Sequence, residues 1–154
     1  MRLSEHFTYA EMMRSTTAEN EGIDNTPDSA VLKALRKTAA GMERVREVLK
    51  RPIIVTSGYR CQDVERALKR QPRTWISTSQ HAKGEAVDFV CPKFGTPYSV
   101  CKAIVNNMAF VEFDQLILEY DNWVHISFSA TGKNRFQTLT IRKGTGYALG
   151  INKK

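Results

Sequence analysis

Two of the three histidines in this sequence lie beside strand-like segments that carry further polar side chains. His81 is separated by a glycine turn from an apolar strand pattern in which Asp88 stands between two apolar residues, and His125 lies in the alternating segment 123–128. Strand alternation gives Asp88 and His125 each a defined side of its strand. The side chains of His81, Asp88 and His125 can therefore converge if the two strands are neighbours. Two imidazoles and one carboxylate with an open fourth position are typical of a catalytic zinc site.

A hydrolytic zinc site also needs a nearby carboxylate that accepts a proton. Glu119 ends the strand pattern 116–119, one short turn before the strand of His125, and is the first candidate; Asp121 is the second. Each residue alone has an ordinary explanation, because a strand histidine is more often structural. Asp88 could pair with Arg60, and Glu119 could be an exposed edge residue.

The elements that must position these residues follow from hydrophobic spacing and turn chemistry. The spacing predicts helices over 4–14, 28–50, 61–70 and 98–108. Runs of β-branched and apolar residues predict strands over 53–56, 85–90, 115–120, 123–128 and 138–142, the first of them buried. Helices precede strands along the chain, which predicts an α+β fold with a small antiparallel sheet and N-terminal helices packed against it.

Composition excludes several classes of protein. The 154 residues predict a single domain spanning 1–154, and no apolar run is long enough for a membrane helix. The net charge of +7 favours an anionic partner without identifying it. The odd set Cys61, Cys91 and Cys101 argues against a disulfide framework. Since no secretory signal is recognised at the N-terminus, we expect synthesis in the cytoplasm, and we expect a monomer.

Three motifs together resemble the M15 family of zinc peptidases, which has the hedgehog/DD-peptidase fold. They are Ser57-Gly58-Tyr59-Arg60, the pattern Ser79-x-His81-x-x-Gly84-x-Ala86-x-Asp88, and Trp123-Val124-His125. The segments 3–8 and 25–27 also resemble small phage and prophage members. The resemblance covers residues 3–129, while 130–154 reads as a strand and a basic tail.

The resemblance implies roles for individual residues. It assigns a single zinc ion to His81, Asp88 and His125. It implies that Arg60 binds a substrate carboxylate or steadies the oxyanion, and that Ser79 hydrogen-bonds substrate.

At the position of the general base, this sequence departs from the pattern of many members. They have a carboxylate three residues before the last histidine, whereas this chain has Asn122 there. A related branch places a glutamate six residues before it, which favours Glu119 over Asp121. Cys61 and Glu65 stand where serine and asparagine are expected, so Glu65 is a position that could alter substrate preference.

The resulting expectation is a peptidase that cleaves stem peptides of bacterial peptidoglycan, either as a D-Ala-D-Ala carboxypeptidase or as an L-Ala-D-Glu endopeptidase. A phage or prophage lysis enzyme would act at the cell wall after release, or as part of a virion. Two alternatives stay open: a catalytically silent zinc module, favoured by Asn122, and a basic nucleic-acid-binding domain. We expect no nucleic acid partner, since the sequence shows no cluster of basic and stacking aromatic residues, and no membrane insertion.

Overall fold

The computed structural model describes all 154 residues and confirms the predicted α+β class. The helices are α1 Tyr9–Met13, α2 Thr16–Glu21, α3 Ser29–Leu49, α4 Gln62–Lys69, α5 Pro97–Val105 and α6 Met108–Val111, with a short 3-10 helix at Gln80–Lys83. The strands are β1 Ile54–Ser57, β2 Ala86–Val90, β3 Gln115–Glu119, β4 Trp123–Ser127, β5 Gln137–Ile141 and β6 Ala148–Leu149. They form one sheet in the order β1-β2-β4-β3-β5-β6.

The long helix α3 provides the main apolar surface that covers the sheet. Its first turn is capped by the Asp28 carboxylate, which accepts a hydrogen bond from the Val31 N–H at 2.8 Å. The apolar residues that recur at helical spacing are buried and pack against one face of the central strands. That face presents Val87 of β2 and Ile126 of β4 to the core. Alternation therefore turns Asp88 and His125 toward the opposite face.

The sheet is antiparallel except at one pair, because β5 runs parallel to β3. Strand β4 is flanked on both sides, by β2 and β3, and the following strand β5 joins the free edge of β3. This parallel pair extends the predicted antiparallel sheet into a mixed one.

The prediction of a strand over 53–56 is confirmed within one residue, but the expectation that this strand is buried is wrong. Strand β1 is an edge strand, paired with β2 alone, and Ile54 is 51% exposed. β-Branched composition indicates a strand, but it does not tell whether that strand lies at the edge or in the centre of the sheet.

Two predicted helices are shorter than their apolar spacing suggests. The first begins at Tyr9, because Thr8 and Glu11 form a capping box that fixes its start. The helix predicted over 98–108 ends at Val105 and restarts at Met108. No helix in the fold combines the length and apolarity needed to cross a bilayer.

Candidate active site

The polar face of the two central strands brings together two of the predicted metal ligands. Asp88 of β2 and His125 of β4 are direct cross-strand partners in an antiparallel ladder. His81 lies in the 3-10 helix that precedes β2, and its ring centroid is 5.1 Å from that of His125. All three residues are at least 90% buried. The structure therefore unites three side chains that the sequence placed in separate segments.

Two of the distances between the ligand atoms match those around a small tetrahedral ion. Asp88 Oδ1 lies 3.2 Å from His81 Nε2 and 3.0 Å from His125 Nδ1, and one atom from each residue falls within 4.8 Å of the others. Ligands about 2.0–2.1 Å from a zinc ion occupy tetrahedral corners roughly 3.3 Å apart. Burial would raise the pKa of Asp88, but the neighbouring His125 and His81 outweigh it and hold the pKa far below its usual value. An ionised carboxylate and two imidazoles fit a divalent cation.

The backbone determines which nitrogen of His81 can bind a metal. His81 Nδ1 lies 2.7 Å from the carbonyl oxygen of Gly58, which can only accept a hydrogen bond, so Nδ1 carries the proton. The lone pair on Nε2 then faces Asp88. A hydrogen bond of this kind is what commonly orients a metal-binding histidine. Gly58 itself packs so closely on Met12 that a Cβ there would overlap the Met12 carbonyl oxygen.

A second glycine forms the turn between His81 and β2. Gly84 ends the 3-10 helix with φ +75°, a left-handed conformation that glycine adopts without strain. Its carbonyl accepts a 2.7 Å hydrogen bond from the buried Thr38 hydroxyl of α3. The long helix thus fixes the position of the turn that carries His81.

Glu119 lies on the same face as the ligands, at the end of β3. Its Oε1 is 3.8 Å from His125 Nδ1, while its Oε2 accepts a 3.0 Å hydrogen bond from the Trp123 indole N–H. Burial raises the pKa of Glu119, and the negative charge of Asp88 adds to this effect, against opposing contributions from His125 and Trp123. A carboxyl group with a raised pKa, beside the ligand cluster, suits proton transfer.

The loop that carries Arg60 is held by a buried asparagine. The amide of Asn25 donates to the carbonyl oxygens of Met13 and Tyr59, at 2.6 and 3.0 Å, and its Oδ1 accepts from the Cys61 N–H at 2.8 Å. Sequence reasoning noted the segment 25–27 only for its resemblance to small phage and prophage members. Asn25 is only 6% exposed, and its hydrogen bonds to Tyr59 and Cys61 fix the backbone on both sides of Arg60.

The predicted site residues share one open cleft of about 520 Å³. The cleft is lined by Arg60, Ser79, His81, Asp88, Glu119 and His125. Ser79 caps the 3-10 helix by accepting a 3.2 Å hydrogen bond from the His81 N–H. Asp121, the second candidate base, lies outside this cleft and is bound by Arg142 through two contacts of 2.9 Å. The geometry therefore favours Glu119 as the base.

Sequence reasoning missed an ion pair at the rim of the cleft. Asp114 is 3% exposed, and its carboxylate accepts hydrogen bonds from both Nε and Nη2 of Arg135 and from the Gln80 side chain. Arg135 and Tyr147, from the C-terminal segment, also line the cleft. Two side chains of the cleft therefore come from residues after 129, where the sequence shows no recognisable motif.

Comparison with known protein families identifies the family of this chain. The model of the family described as Peptidase M15 matches residues 5–127, so the chain belongs to the M15 peptidases. A comparison with curated proteins finds no match. The matched region contains every predicted site residue, whereas Arg135 and Tyr147 lie beyond it. Family membership supports peptidase activity, and the His-Asp-His cluster supports metal binding.

Proposed function

We propose that this protein is a zinc-dependent peptidase that cleaves peptide bonds in the stem peptides of bacterial peptidoglycan. The observation that carries the proposal is the convergence of His81, Asp88 and His125 on one point in an open cleft, with Glu119 beside them. Membership of the M15 family supports both the metal and the substrate class.

The residues of the chain divide the chemistry among them. Zinc, when bound, activates a water molecule and polarises the substrate carbonyl. Glu119 Oε1 takes a proton from the attacking water and delivers it to the leaving amine, because Oε2 is engaged by Trp123. Arg60 presents its guanidinium to a substrate carboxylate or to the developing oxyanion, two groups that suit its planar donors.

The biological setting we propose is degradation of the cell wall by a phage or prophage enzyme. The protein would be made in the cytoplasm and would act on the wall after release, or as part of a virion. The net charge of +7 supports attraction to an anionic wall polymer. We propose that it works as a monomer with a single zinc ion.

The test is digestion of purified stem peptides by the zinc-loaded protein, followed by mass spectrometry of the products. Loss of a terminal D-alanine indicates a carboxypeptidase, and release between L-alanine and D-glutamate indicates an endopeptidase. The chelated protein and the His125→Ala variant serve as matched controls. Intact peptides after incubation with protein of full zinc content would instead support a catalytically silent zinc module.

A further inference from the structure

A fully buried glutamate lies behind the cleft wall that carries Arg60. Glu65, in α4, has no exposed side-chain surface. Its Oε1 accepts hydrogen bonds from the Ser77 hydroxyl at 2.6 Å and from Lys69 Nζ at 3.0 Å, and its Oε2 lies 3.0 Å from Arg60 Nε. Burial would raise the pKa of Glu65, but Ser77, Lys69 and Arg60 outweigh it and hold the pKa below its usual value. The residue is therefore a buried anion that needs its partners.

Both cations that Glu65 contacts line the cleft. Arg60 retains 18% and Lys69 45% of its side-chain exposure. Lys69 follows Glu65 by one helical turn, and its ammonium lies 5.9 Å from the centre of the Trp75 ring. Since one carboxylate holds the two cations, their charged groups are neighbours at one end of the cleft.

The charge balance distinguishes this end from the rest of the rim. Arg60 and Lys69 share a single anion, which leaves one positive charge in excess. Arg135, the other cationic residue of the cleft, is matched by Asp114 in a bidentate pair. Arg60 also acts electrostatically on the Glu119 carboxylate of the same cleft. The excess positive charge therefore lies on the Lys69 side of the pair.

We propose that Arg60 and Lys69 form a two-cation subsite that selects a substrate residue bearing a free side-chain carboxylate in addition to its main-chain carboxylate. Glu65 is the positioning residue that holds both cations at the cleft wall. This inference rests on the proposed peptidase function, because it specifies which substrates that site prefers. An amide in place of the side-chain carboxylate removes the charge but keeps the shape.

The test measures binding, so it does not depend on turnover. Isothermal titration calorimetry on the zinc-loaded full chain carrying Glu119→Gln compares two probes, N-acetyl-L-Ala-D-Glu and N-acetyl-L-Ala-D-Gln. We expect the glutamate probe to bind about three- to tenfold more tightly at low ionic strength, with the preference reduced by salt. Lys69→Met should abolish the preference, whereas Lys93→Met, on an exposed loop, should preserve it.

A further variant separates positioning from folding. Glu65→Gln should reduce the preference between the two probes, a ratio that general destabilisation does not change. If that variant fails to fold, Lys69→Met decides the question, because Lys69 is half-exposed. Equal binding of the two probes, or an unchanged preference in Lys69→Met, would overturn the subsite. A preference that depends on Lys69, in a zinc-loaded wild-type protein that cleaves no stem peptide, would uphold the subsite and reject the peptidase.

Discussion

Glu119 Oε1 lies 3.8 Å from His125 Nδ1, across two adjacent antiparallel strands. Their ladder pairs Glu119 with Trp123 and Ile117 with His125, so the glutamate and the histidine are diagonal neighbours on one face. A short turn joins the two strands, which leaves little freedom in the distance between a proposed base and a proposed ligand.

Removal of the proposed base should separate catalysis from metal binding. We expect Glu119→Ala to retain zinc but to lose at least about a hundredfold in the rate of stem-peptide hydrolysis, the usual scale for loss of a general base. The measurements are the rate constant and the zinc content by mass spectrometry. Asp121→Asn is the control and should keep its rate, because Asp121 is bound to Arg142 outside the cleft. If Asp121→Asn lost the hydrolysis rate and Glu119→Ala kept it, Asp121 would be the general base instead of Glu119.

Removal of a proposed metal ligand should reduce zinc binding and catalytic activity together. His125→Ala is expected to lose zinc and activity, because two ligands hold the ion much less tightly than three. His6→Ala provides a matched control, since the side chain of His6 is 36% exposed and pairs with Glu43 at the surface. Stoichiometric zinc in purified His125→Ala would show that the ligand set is wrong.

The close contact at Gly58 should make zinc affinity sensitive to a methyl group. In Gly58→Ala the new Cβ meets the Met12 backbone, so the Gly58 carbonyl that orients His81 must shift. Loss of such a supporting contact typically weakens metal affinity about 10- to 100-fold. Competition with a chromophoric chelator measures this change.

Gly146→Ala is the control for the previous substitution, because a Cβ at Gly146 has no atom within 4 Å. Its zinc affinity should equal that of the unsubstituted protein. Equal affinity in Gly58→Ala would mean that the carbonyl contact does not orient His81.

The buried ion pair of Asp114 predicts a pH-dependent contribution to stability. Burial would raise the pKa of Asp114, but hydrogen bonds from Arg135 and Gln80 prevail and lower it. A carboxyl group whose folded pKa is depressed stabilises the fold above its unfolded pKa of about 3.9, and this contribution is lost as the pH falls through the folded value. Asp114→Asn should therefore lower the free energy of unfolding at pH 7 by about 1–3 kcal/mol, a range reduced because Arg135 is half-exposed.

Urea denaturation at pH 7 and at pH 3 measures the difference between the two proteins. The difference should shrink at the lower pH, because there the carboxyl group of Asp114 is protonated in the unfolded chain and folding must remove that proton. A difference that stays constant across this range would show that the charge of Asp114 contributes nothing.

Local patterns in the sequence were sufficient to predict the polar face of the site. Strand alternation directs Asp88, His125 and Glu119 correctly, because the two-residue period is a property of the extended backbone itself. The α+β class follows in the same way from helical and strand periodicity. The predicted convergence of these side chains required β2 and β4 to be neighbours, and only the structure shows that they are.

Features that depend on distant chain segments could not be predicted. The burial of Asp114 results from Arg135, which arrives on a connection with no regular periodicity. The edge position of β1 is set by strand order, and its β-branched residues carry no information on that order. Glu65 was visible as a departure from the family pattern, but its partner Ser77 lies in an irregular loop.

The direct pairing of Asp88 with His125 has a consequence for how the protein withstands heat. An ion held by these two side chains and by His81 would be a cross-link through the middle of the sheet, between β2 and β4 and the turn ahead of them. Any ligand that binds only the folded chain raises its melting temperature. Chelation should therefore loosen the central strand pair, and EDTA should act on this protein as a mild denaturant.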